Sequence, residues 1–135
     1  MKLRMIVSIA CILLVPSCTL KPEKGNVENV IQQGLWKVGQ FINGSVDETA
    51  DFEGYQFNFH VNHYLVASGN NHTMTGSWEV KDDNGSIQIK IHFNSDNDHL
   101  EFTQIEEEWE VMELTGTLVK TTADGGEKFL DLERL

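Results

Sequence analysis

Strict alternation of apolar and polar residues constrains this chain more than any other feature. In residues 55–61, Tyr55, Phe57, Phe59 and Val61 interleave with Gln56, Asn58 and His60. In residues 87–93, Ile87, Ile89, Ile91 and Phe93 interleave with Gln88, Lys90 and His92. A period of two places each set on one face of a strand, so both segments predict sheet with one side on a core and one side wet. Further strands are predicted at 36–42, 65–68, 74–80, 100–104, 108–114, 117–121 and 128–134. Turn residues separate them: Asn43-Gly44, Gly69-Asn70-Asn71, Asn84-Gly85 and Asp124-Gly125-Gly126. Asn84-Gly85 predicts a two-residue hairpin, whose turn needs positive φ that these residues tolerate. A helical turn is expected ahead of the strands, over 27–33, with Asn26 as N-cap and Gly34 as terminator. The fold class is therefore all-β, a small antiparallel up-and-down meander with a short N-terminal helical turn. Closing the meander into a barrel of about eight or nine strands would remove its exposed edges.

The first eighteen residues follow a different rule. Lys2 and Arg4 form a basic start, residues 5–15 are an apolar run broken by one Ser, and Val15-Pro16-Ser17-Cys18 closes it. Eleven residues are too few to span a bilayer but suit the core of an export signal. The closing residues resemble the lipobox of bacterial lipoproteins, with Pro16 where a small residue is usual. The resemblance implies removal of 1–17, diacylglyceryl modification of Cys18 and a membrane anchor through it. Thr19, rather than Asp, follows the cysteine, which points to the outer membrane of a Gram-negative cell envelope. Residues 18–33 then read as lipidated cysteine, polar tether and short helix, and 34–135 as the barrel domain.

Charge narrows the partners. Removing 1–17 takes two cations and no acid, leaving eight Lys and Arg against 21 Asp and Glu, a net charge of −13 over 118 residues. Such a surface repels phosphate backbones, so nucleic acid is not an expected partner. Cys11 lies in the removed segment and Cys18 is the lipid site, so no thiol remains for a disulfide or a nucleophile.

Several clusters invite a chemical reading and favour a plainer one. His60 and His63 lie three apart, on opposite faces if the strand continues, and a site with His72 and His92 would need strand neighbours to assemble it. Neither these nor any Cys pair has zinc-ligand spacing. The acidic runs 47–51 and 94–98 offer oxygen ligands, yet the second lacks the glycine and glutamate of an EF-hand loop, and both suit solvated turns. Glu106, Glu107, Glu108 and Glu110 suggest a carboxylate pair, but consecutive glutamates at a strand edge stay ionised and wet. No G-x-S-x-G or phosphate-binding loop occurs. The expectation is a non-enzymatic protein without metal or cofactor.

Aromatic residues carry the remaining signal. Trp36-Lys37-Val38, Trp78-Glu79-Val80 and Trp109-Glu110-Val111 repeat one pattern, with Trp and Val on one face. An inward set of Trp36, Tyr55, Phe57, Phe59, Trp78, Phe93 and Trp109 either fills the barrel or lines an apolar pocket within it.

Gly34-Leu35-Trp36, where the first strand opens after a helical turn, resembles the G-x-W signature of lipocalin-type barrels, and Gly76-Ser77-Trp78 repeats it. With the run 47–59 and Leu100 ahead of Trp109-Glu110-Val111, the chain resembles small lipocalin-like lipoproteins of bacteria over about residues 34–135. The resemblance implies that Arg134, expected on the face of Leu130 and Leu132, packs over Trp36 and closes the barrel's bottom. It leads to the expectation of a lipid-anchored envelope protein binding a small apolar or amphipathic ligand inside the barrel. The alternative is an envelope assembly factor or inhibitor with a packed barrel, working through loops 47–54 and 69–73.

Overall fold

A computed structural model describes residues 18–94 and 98–135. The predicted export signal and the centre of the acidic run 94–98 lie outside the described residues. One helix, α1 (Lys24–Ile31), precedes nine strands: β1 (Trp36–Asn43), β2 (Val46–Asp47), β3 (Gln56–Phe59), β4 (Tyr64–Gly69), β5 (His72–Asp83), β6 (Ser86–Phe93), β7 (Glu108–Leu114), β8 (Leu118–Ala123) and β9 (Lys128–Arg134). Every pairing is antiparallel, and β1 pairs with β9 from Trp36↔Arg134 to Asn43↔Lys128. Eight strands thus close into a barrel, with β2 as a short hairpin extension of β1.

Local chemistry accounts for the turns. Asn84 and Gly85 have φ of 51° and 92°, and Asn70 and Asn71 have 50° and 59°, so both hairpins turn on two residues of positive φ. At Gly76, in the middle of β5, a Cβ would run into the backbone carbonyl of His92 on β6. This is a close approach that only glycine permits.

Several expectations need correction. Residues 100–104 are not a strand but part of a 3-10 helix, Leu100–Ile105. Phe102 and Ile105, three apart, are buried, and Leu100 is exposed. Three-residue spacing on a 3-10 helix, not alternation, sorts these side chains. Val61 does not continue the buried face of β3 and is 75% exposed. The strand ends at Phe59, where His60 N–H donates to Tyr64 O and the chain turns. Helix α1 starts three residues earlier than expected, after Glu23 and without a side-chain cap. Asn26 instead donates from Nδ2 back to Lys21 O.

The segment ahead of the barrel is not a free tether. Leu20 N–H donates to Leu114 O at 2.7 Å, and Val27, Val30 and Ile31 are buried in the core. Helix α1 therefore covers the end of the barrel where β1 starts and β7 stops. The opposite end is filled by two 3-10 helices, Thr49–Phe52 and Leu100–Ile105, which drive Phe52, Phe102 and Ile105 inward.

On the outer face of β9, half-buried Asp131 stands opposite Lys120 and Gln40. Burial pushes its carboxyl above the usual range; Lys120 opposes this, while Glu133 and Glu113 add to it. A carboxyl whose pKa is raised by folding stabilises the fold below its unfolded pKa, and that contribution is lost as pH rises through the folded value. Asp131→Asn is therefore expected to be more stable than the parent at pH 7, by roughly 0.5 kcal/mol for a half-buried site that solvent still screens. The advantage should vanish at pH 3, where the native side chain is also neutral. Urea unfolding at both values checks this, and equal stability at pH 7 would refute it.

Candidate functional site

Each of the seven inward aromatics is at most 5% exposed. They interlock edge to face: Phe57 on Phe93 at 6.5 Å, Phe59 on Trp78 at 5.9 Å and Tyr55 on Phe102 at 5.0 Å between ring centroids. Phe102 also meets Phe52 at 5.7 Å and Phe93 at 5.0 Å, so one ring from a 3-10 helix locks the upper interior. Phe41, Phe52 and Phe102 lie outside the set read from the sequence: Phe41 follows the bulge in β1, and Phe52 and Phe102 sit on 3-10 helices.

The three Trp-x-Val repeats share a second function in the fold. Each indole N–H donates to the carbonyl of a segment outside the sheet. Trp36 Nε1 reaches Ile31 O at the end of α1 at 2.9 Å, Trp78 Nε1 reaches His60 O in the β3–β4 turn at 3.0 Å, and Trp109 Nε1 reaches Ile105 O at 2.9 Å. A buried indole leaves its N–H satisfied and a non-strand segment fastened. Arg134 is paired in register with Trp36 and is exposed, unlike Leu130 and Leu132. Its side chain lies against Gly34, and Nη1 donates to Gly116 O at 3.4 Å.

The wall opens at one seam. β1 and β3 meet in register only at Trp36↔Phe57. Beyond it, β1 carries a bulge at Gly39, where a Cβ would collide with the Glu133 side chain. Farther along, β1 is stitched to a loop instead of a strand: Phe41 N–H donates to Thr49 Oγ1 at 2.9 Å, and Glu48 N–H to Phe41 O at 2.9 Å. The Thr49 hydroxyl donates to Asp47 Oδ1 at 2.6 Å and its N–H donates to the same oxygen at 3.0 Å, which together hold the Asp47 carboxyl below its ordinary pKa. The acidic run 47–51 is thus built as a turn that braces the loop.

Between the strands lies an open groove of about 540 Å³. Val38, Phe52, Tyr55 and Leu135 give it apolar lining, with Lys37 and Glu53 among its polar lining. Lys37 Nζ stands 3.5 Å from Glu133. Of the seven aromatics read from the sequence, Tyr55 is the one that lines this groove. Gly39 was the available signal, since an isolated glycine in a strand pattern marks a bulge.

The other candidate groups are separated or occupied. His60 and His63 share the β3–β4 turn, with His63 Nδ1 3.1 Å from Trp78 O. His72 lies at the far end of the barrel, stacked on His99 at 3.6 Å. Glu106 accepts from Phe93 N–H, Glu107 from Lys128 Nζ at 2.8 Å and Glu108 from Lys81 Nζ at 3.0 Å. Those last two contacts raise the Lys128 and Lys81 pKa values. Among the described residues, no three His, Cys, Asp or Glu side chains gather as a metal site.

No family model matches the sequence, and no curated protein matches it. Solved structures do resemble it. A DUF4847 family protein of Bacteroides vulgatus superposes with TM-score 0.58 at 15% identity, over 81% of this chain and 97% of the other. A lipocalin-like protein of Bacteroides uniformis superposes with TM-score 0.55 at 16% identity, over 78% and 99%. With eight antiparallel strands closed on themselves, the fold is that of the small lipocalin-like barrels.

Proposed function

We propose that this protein is a lipid-anchored lipoprotein of a bacterial cell envelope and a non-enzymatic carrier of a small amphipathic molecule. The ligand sits in the β1–β3 groove, where Tyr55 lines the wall, and not among the other six interior aromatics. The groove carries this reading: its volume is in the range of small-molecule sites, and its lining is apolar with a few polar groups. A tail would lie on Val38, Phe52 and Tyr55, and an anionic head would meet Lys37. The closed core supports the choice of groove over centre, since an interior ligand would have to displace rings packed at 5.0–6.5 Å.

Ala50 is exposed on the groove wall. Ala50→Trp is expected to fill the groove, abolish binding of a fluorescent fatty acid and leave the melting temperature unchanged. Titration of both proteins with the same probe checks this. Equal binding by the variant, or none by the parent, would overturn the reading.

One observation favours the protein-interaction alternative. Loops 47–54 and 69–73, chosen from the sequence, touch each other: Asn70 Nδ2 donates to Glu53 O at 2.9 Å. They form one face at the end of the barrel away from α1. Loss of a crosslinked envelope partner on Asn70→Lys, with probe binding intact, would shift the assignment to that face.

A further inference from the structure

The chain enters the barrel at a fixed point. Leu20 is hydrogen-bonded to Leu114, and Cys18 is exposed two residues before it. Two extended residues reach about 7 Å, whereas sixteen unfastened ones would reach roughly 50 Å. A lipid on Cys18 would therefore hold this end of the barrel at the headgroups.

The surface around that point suits a bilayer. Leu135 N–H donates to Leu35 O, Arg134 N–H donates to Thr117 O and Arg134 Nη1 donates to Gly116 O. These bonds join the last strand, the first strand and the β7–β8 turn into one patch beside Leu20. Leu35 and Leu135 are 38% and 59% exposed on it. Residues 18–37 and 133–135 together carry four cations and three acids. At the other end, segments 44–54, 98–108 and 124–128 carry eleven acids and one cation, Lys128, which pairs with Glu107 and Asp124. The Asp82-Asp83 turn shares the anchor end but lies across the barrel mouth from the patch. Charge is thus polarised along the barrel axis, and an anionic lipid surface would repel the far end.

We infer that the anchored protein stands directly on the bilayer, on the patch formed by Leu35, Leu135 and Arg134, with its acidic loops pointing away. This rests on lipidation of Cys18, which is part of the reading above. Leu135 belongs both to the patch and to the groove, so the groove's lower lip lies at the headgroups, where an amphipathic molecule can pass from leaflet to protein.

The test uses the full chain expressed with its own leader, purified from membranes and placed in vesicles containing phosphatidylglycerol. Mass spectrometry of the N-terminal peptide first establishes the diacylglyceryl group on Cys18. Leu35→Cys and Asn70→Cys variants then carry an environment-sensitive fluorophore, with a quencher attached to the lipid headgroups. Strong quenching at position 35 and little at 70 is expected. Adding Leu20→Pro, which removes the donor to Leu114, should weaken quenching at 35 severalfold without changing tryptophan fluorescence. Equal quenching at the two positions in a lipidated protein would overturn the orientation alone. Absence of the lipid mass would overturn the anchor and the orientation with it.

Discussion

Gly76→Ala is expected to cost roughly 3 kcal/mol or more, at the upper end for overpacked sites. The added methyl would meet the His92 carbonyl and then the Phe93 Cα, both of them backbone. A flexible side chain could swing aside, but these atoms belong to the Gly76↔Phe93 pair that holds β5 to β6. Relief requires the strands to part beside Phe93, whose ring packs on both Phe57 and Phe102. The melting temperature should fall by about 10 °C or more. An unchanged melting curve would show that the β5–β6 pair can shift at this point.

Trp109→Ala should be comparably damaging, about 3–5 kcal/mol for a large aromatic removed from a core. The residue is fully buried and lies edge-on to Phe41 at 6.2 Å. Its loss leaves a cavity and removes one of the two donors to the Ile105 carbonyl, the other being Glu107 N–H, so the Leu100–Ile105 helix should loosen. Phe102 belongs to that helix, and the upper core would open with it. Limited proteolysis should show faster cutting near residues 98–107, alongside a lowered denaturation midpoint. Trp109→Phe separates the two effects: it keeps most of the volume and loses the hydrogen bond, at a cost of about 1–3 kcal/mol. Parent-like proteolysis of the alanine variant would show that other contacts hold the helix.

These two residues also show what the sequence made legible. Trp109 sits in a clean alternating segment, and its burial follows from that period alone. The same holds for Ile87, Ile89, Ile91 and Phe93, all buried, with Lys90 and His92 exposed between them. The turn at Asn84-Gly85 was legible because few residues accept positive φ. The plug was not. Leu100 and Phe102 fit a period of two as well as Phe102 and Ile105 fit a period of three, and only packing against Tyr55 and Phe93 decides between them. Nor was the filled interior legible, since whether seven aromatics line a pocket or close it depends on rings delivered by Thr49–Phe52 and Leu100–Ile105. The groove escaped notice for a related reason. It arises from pairing that stops between β1 and β3, a relation between segments that neither segment's pattern encodes.

The β1–β9 pairing has a consequence for when the barrel can close. The first strand of the barrel cannot complete its hydrogen bonding until the final strand is available. Such distant pairing is slow to form, because the intervening chain must be ordered first. Under the export proposed above, a chain crossing the membrane N-terminus first would stay open until its last strand had followed. Late closure of this kind would suit that export, since no finished barrel would have to open for passage.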